Sequence, residues 1–415
     1  MTDLSVVPTG ANCTFTPGNG SVVALDPNFE IPSAWKYNLT VARDFRLPLI
    51  EDFRLQADVI RTDFENALYY RDLLATRSGS APDGRPVYTH PTGPVVFDLL
   101  LDNLKDGGSS TSVALTGQKT WRDGVFEGLD VRSTYTYTES EDGNPMTSSQ
   151  PDSSYVRFAS ADHNNPVLAT SDYEIRHKFT VNANYTRAFF GDNETSINVF
   201  AQRRSGLPFS YVYHSSRTGN YDNDFGNAVP QSYSGALGTS NQLFYVPQTD
   251  GNGVVTATSD PRITYASGFN LTDFNAFLNN TGLIKYAGSI APRNAFRTGA
   301  VTTVDLRLSQ EIPVPVLPTG KLKLYMDIEN FGNLLNEKWG VLEQYPFYRG
   351  VGTVVLNCQT AGVASSCAAP NAVYQYSSLQ SAGAAGTPLG GEAKRPNAQL
   401  PASTWQIKFG ARISF

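Results

Sequence analysis

The chain has 415 residues and a mass of 45.2 kDa, long enough for two or three domains or for one large β-barrel. Its 32 basic and 38 acidic residues leave a net charge of −6 with no Lys/Arg block, which argues against a nucleic-acid platform. Charged residues are only 17% of the total, and no run of about 18 apolar residues is present, which excludes a helical membrane span.

What recurs instead is period-2 alternation, the mark of strands whose successive side chains point to opposite faces. The opening residues, MTDLSVVPTGANCTF, carry neither a basic n-region nor an apolar h-region, so no signal peptide is expected. The first strand spans 34–46, with Trp35, Tyr37, Leu39 and Val41 against Lys36, Asn38 and Thr40. The next, 52–62, sets Phe53, Leu55, Ala57 and Val59 against Arg54, Gln56 and Asp58. A weaker pattern over 109–121 precedes 127–138, where Leu129, Val131, Tyr135 and Tyr137 oppose Asp130, Arg132 and Thr134. Segments 173–188 and 195–204 follow, carrying Phe179, Val181 and Ala183, then Ile197, Val199 and Ala201. Over 301–312, Val304, Leu306 and Leu308 alternate with Asp305, Arg307 and Ser309; over 320–330, Leu322, Leu324, Met326 and Ile328 alternate with Lys323, Asp327 and Glu329. The last segment, 404–415, places Trp405, Ile407, Phe409, Ile413 and Phe415 on one face and Lys408 and Arg412 on the other. These nine segments belong to an expected total of about ten strands.

Short links, such as 47–51, 122–126, 189–194 and 313–319, alternate with long segments at 63–108, 139–172, 205–300 and 331–403. A globular sandwich or propeller has little need of four such excursions, whereas a transmembrane β-barrel has short turns at one end and long loops at the other. Aromatics near strand ends suit interfacial girdles. The expected fold is therefore all-β: an antiparallel transmembrane barrel with an apolar outer face and a hydrated interior lined by Arg132, Asp305, Arg307, Asp327, Glu329 and Arg412.

The terminal TWQIKFGARISF resembles the C-terminal strand of a bacterial outer-membrane protein, in which a final aromatic is read by the barrel-assembly machinery; Phe415, Ile413 and Phe409 carry that signal here. RNAFRTGAVTTVDLRLSQEIP (293–313), KLKLYMDIENFGNLLNEKWG (321–340), DYEIRHKFTVNANYTRAF (172–189), AQRRSGLPFSY (201–211) and PDGRPVYTH (82–90) resemble TonB-dependent outer-membrane receptors of the Oar-like type. The resemblance implies location in the outer membrane and contact with its lipid. It further implies uptake of a scarce, unidentified solute, driven by an energy-coupling inner-membrane complex acting through a plug. Such receptors have about 22 strands. Against that pattern residues 1–33 read as the remnant of an extracellular loop and 34–415 as the C-terminal part of the barrel. No plug domain is expected, and the fragment is expected to be inactive in transport by itself.

No HExxH, GxxxxGK[ST] or GxSxG motif is present, and neither catalysis nor a metal or cofactor is expected. YDNDFGN (221–227), with Asp222 and Asp224, has the wrong Gly spacing for an EF-hand. Two alternatives are a complete ten-stranded enzyme using His90, His163 or His214 with a loop Asp, and a surface adhesion protein. His177 falls on the outward face of its strand. Cys358 and Cys367, in a Gly/Ala/Ser-rich stretch, form either a local disulfide or two free thiols, while Cys13 stands alone. The segment 270–283 reads as a short helix with Phe274, Phe277 and Leu278 on one face, packed within its own loop.

Overall fold

A computed structural model describes residues 22–47, 50–89, 98–214, 239–314, 320–345, 349–379, 395–396 and 403–414. Nine strands make one antiparallel meander in strict chain order, here called the wall. They are β1 (Ser33–Leu47), β2 (Ile50–Asp72), β3 (Asp98–Thr120), β4 (Leu129–Asp142) and β5 (His177–Phe190). They continue as β6 (Asn193–Arg204), β7 (Val301–Pro313), β8 (Lys321–Glu329) and β9 (Gln406–Ser414). The path thus has nine strands among the described residues rather than about ten, and no pairing between β1 and β9 closes it there. Short and long connections alternate along it.

Cross-strand register carries the alternation across the wall. Leu39 faces Val59, then Val113 and Tyr137; Val41 faces Ala57, then Leu115, Tyr135 and Phe179. Farther along, Ile197 faces Leu308, then Met326 and Phe409. This apolar face is bare: Leu39 is 64%, Leu115 49% and Phe409 78% exposed. The opposite face runs Thr40–Asp58–Ala114–Thr136–Lys178 in one row and Asn198–Arg307–Asp327–Lys408 in another. Because the side-chain period is two, a slip of one residue in any strand would exchange these faces.

β2 and β3 run longer than their alternating segments suggest, reaching Asp72 and starting at Asp98. A register irregularity between Asp63 and Glu65 interrupts the pattern, and pairing then resumes up to Asp72 opposite Leu99. Past the irregularity Tyr69, Leu99 and Leu100 are buried, so the simple in–out rhythm ends where the strands become covered.

The long connections are not open loops. Segments 208–214, 239–243, 263–265, 350–360 and 373–379 form a second sheet, extended by pairs at 296–297 and 363–364. This headpiece encloses an aromatic core: Phe209 lies 4.6 Å from Tyr345, Tyr211 5.8 Å from Phe277, and Tyr213 5.5 Å from Phe244, centroid to centroid. Each large side chain buried there contributes roughly 1.5–3 kcal/mol. The helix Leu271–Thr281 lies across the core with Phe274, Phe277 and Leu278 fully buried, as its periodicity suggests. Asn270 caps it by accepting from the Thr272 and Asp273 amides, and Gly282 ends it at φ +76°. Cys358 and Cys367, both buried in this core, are joined as a disulfide.

Candidate functional site

The candidate site is the polar face of the wall, where the register places all six charged residues singled out above. They do not converge on one point. Arg132 sits between Gln118 and Asn182. Asp305 lies at the long-connection end, where its carboxylate accepts from the Asn330 amide at 2.7 Å. Glu329 is paired with Lys408. Arg307 and Asp327 face each other on β7 and β8 at 3.4 Å.

Arg307 and Arg412 also line a recess of about 330 Å³ with Lys323, Tyr325, Asn184, Asn198, Ser196 and Ser309. Three cations, two amides, two hydroxyls and a phenol surround it, with no carboxylate in the lining. Its floor depends on a glycine: a Cβ at Gly410 would overlap the Tyr325 ring, so only glycine lets that ring lie across β9. The Arg307 guanidinium lies over the same ring, 4.6 Å from its centroid. Lys323 and its neighbours escape a search of the sequence because residues 184–198, 307–325 and 412 meet only through the register of five strands.

Of the assembly-signal residues, Phe409 and Ile413 belong to the apolar face, exposed at 78% and 58%; Phe415 lies outside the described residues. His177 is on the apolar face opposite Tyr137, with Nδ1 2.8 Å from the Tyr135 hydroxyl. His90, Asp222, Asp224 and Cys13 lie outside the described residues. His163 is buried against Tyr155 and Phe158, 3.0 Å from the Phe158 carbonyl through Nε2, and burial lowers its pKa to about 4. His214 lies on a headpiece strand, beside Thr239 and Val355 in the register. Among the described residues no cluster of His, Cys, Asp or Glu is arranged to hold a metal ion.

Two of the motifs that carry the resemblance, 172–189 and 293–313, meet where the wall joins the headpiece. Glu174 is fully buried and takes Arg176 at 2.9 Å, the Ser140 amide at 2.7 Å and Arg297. Arg293 reaches Asp142 at 2.6 Å, and Asn294 bonds Asp172 and, at 2.8 Å, the Thr170 carbonyl. Burial raises the Asp172 pKa, an effect opposed by Arg293 and Asn294. In PDGRPVYTH, the Asp83–Arg85 pair is fully buried at 2.6 Å, and Arg85 also donates to the Leu243 carbonyl at 2.8 Å. Burial works against both charges, yet their mutual attraction leaves Asp83 below and Arg85 above their ordinary values. Arg85 ties the hairpin 76–89 to the headpiece through Gln242 and Leu243.

No family model matches the chain. No curated protein matches it either. One solved structure, the crystal structure of BamA from Haemophilus ducreyi lacking POTRA domains 1-3, is similar at a TM-score of 0.20 and 10% identity, over 74% of this chain and 51% of that one. The chain therefore spans about half the length of that structure, and a likeness so slight carries no argument about function.

Proposed function

We propose that the chain forms part of the wall, and the surface headpiece, of a bacterial outer-membrane receptor of the TonB-dependent, Oar-like type. The observation that carries the reading is the separation of faces: apolar residues of the wall stand bare on one side while charged and amide residues fill the other. In water that face is an aggregation hazard; in a bilayer it is the lipid contact. The polar face then lines a hydrated interior, and the long-connection headpiece faces outward to meet the solute. In this reading the barrel-assembly machinery recognises β9 and its terminal aromatic. Energy coupling to the inner membrane acts through a plug that this wall would surround. We assign no catalytic role and no cofactor.

β1 and β9 both run toward the short-turn end, so they cannot pair antiparallel with each other. An all-antiparallel closure needs an odd number of further strands, which agrees with a wall that is one portion of a larger barrel.

Reconstitution into vesicles of brominated lipid tests the membrane reading. Trp35 and Trp405, exposed on the apolar face, are expected to be quenched, and Trp339, in a connection, to be spared. Equal quenching of all three would contradict it. The receptor reading further expects solute uptake in the native membrane to stop when the inner-membrane proton gradient is dissipated; uptake that continued unchanged would contradict it.

A further inference from the structure

We infer that the recess on the polar face of β5–β9 is a binding site for a small multivalent anion, a carboxylate or phosphate compound, contacted chiefly by Arg412 and Lys323. Arg412 makes no hydrogen bond or ion pair with any other described residue, whereas three cations near it on β7–β9 are engaged. Lys408 is held by Glu329, Lys321 by Glu311 at 3.0 Å, and Arg307 by Asp327 at 3.4 Å. Lys323 has only a loose partner, Glu311 at 3.8 Å. In the register Lys323 lies directly opposite Arg412, so two under-compensated cations share one row.

The rest of the lining suits an anion's oxygens. Ser309 supplies a hydroxyl, and Asn184 and Asn198 supply amides, with Asn198 steadied by its bond to Asn182 at 2.8 Å. Tyr325 presents its phenol from a ring that packs against both Gly410 and the Arg307 guanidinium. A fork-shaped guanidinium beside an ammonium matches a carboxylate or phosphate group, and the recess volume of about 330 Å³ fits a small organic acid. The physiological meaning, an anionic solute passing the wall, rests on the receptor reading; the site itself rests on the geometry of the wall.

The test is calorimetric titration of citrate, and separately of inorganic phosphate, into the full folded chain in zwitterionic micelles at low salt. Saturable binding is expected, weakened about tenfold in Arg412→Gln and in Lys323→Gln, and partly retained in Arg412→Lys. Lys408→Gln removes the same charge outside the recess and is expected to leave the affinity unchanged. Absence of saturable binding, equal binding by Arg412→Gln, or equal loss in Lys408→Gln would each overturn the proposal. Displacement of citrate by added phosphatidylglycerol would assign the site to a lipid headgroup and likewise overturn it. A chain that binds citrate through Arg412 but does not enter vesicles contradicts the receptor reading alone. One that enters vesicles without binding contradicts this inference alone.

Discussion

The wall and the headpiece use the same residue types in opposite ways. In the wall Leu39, Val41, Leu115 and Phe409 are turned away from any protein core and stand exposed, while polar residues fill the other face. In the headpiece Phe209, Tyr213, Phe244 and Tyr376 are packed inward, and even its charged Asp83–Arg85 pair is fully buried. The wall is held mainly by its backbone ladder and completed by its surroundings; the headpiece is held by side-chain packing and carries its own core. The lesson is that the two parts should fail separately, each under the perturbation that attacks its own source of stability.

The largest expected effect is Arg85→Met, which leaves Asp83 buried without its cation and destabilises the headpiece by about 3–5 kcal/mol. Protease resistance of 239–297 is expected to fall while the heat-dependent mobility of the wall on gels is unchanged. Loss of both together would erase the distinction. Acidification should act next. His163 has a folded pKa near 4 against about 6.5 unfolded, so the unfolded chain binds the proton first. The stability it contributes is present above about pH 6.5 and is lost as pH falls toward 4, by on the order of 3 kcal/mol. Near-ultraviolet dichroism followed against pH, with His163→Gln as the flattened control, reads this directly.

A lipid-face change tests the other half of the comparison. Leu115→Arg places a charge among Val113, Tyr135 and Ala57, and should cost the wall about 2–4 kcal/mol if that face is in the bilayer. Thr180→Arg, on the polar face, should cost less than about 1 kcal/mol by the same refolding assay in vesicles. Equal costs would mean that both faces meet water. The smallest effect belongs to Lys408→Gln: the pair with Glu329 is open to solvent, and no change in wall stability should be measurable.

How much of this was legible in the sequence follows from the same contrast. Strands with one bare face betray themselves: the alternation over 301–312, 320–330 and 404–415 ends within about two residues of β7, β8 and β9. The headpiece sheet was invisible as a sheet because its strands are covered on both faces. PFSYVYH (208–214) is buried at six consecutive positions and GVGTVVL (350–356) at seven, so neither has a period to detect. The helix 271–281 stood out because three core residues recur at helical spacing. Alternation alone sets the charged residues of each strand on one face, but the recess around Arg412 has no local pattern, since its lining is assembled across five strands. Asp83–Arg85 was likewise missed as a pair: no local pattern reveals that a two-residue charge motif will be sealed inside a core.

The most direct test of the account is site-directed spin labelling of β3, one position at a time from Ser112 to Gly117, in lipid vesicles. The account predicts period-2 accessibility: Val113 and Leu115 relaxed by oxygen dissolved in lipid, and Ser112, Ala114 and Thr116 by a water-soluble nickel chelate. Uniform aqueous accessibility, or the same alternation with the two sets exchanged, would contradict it.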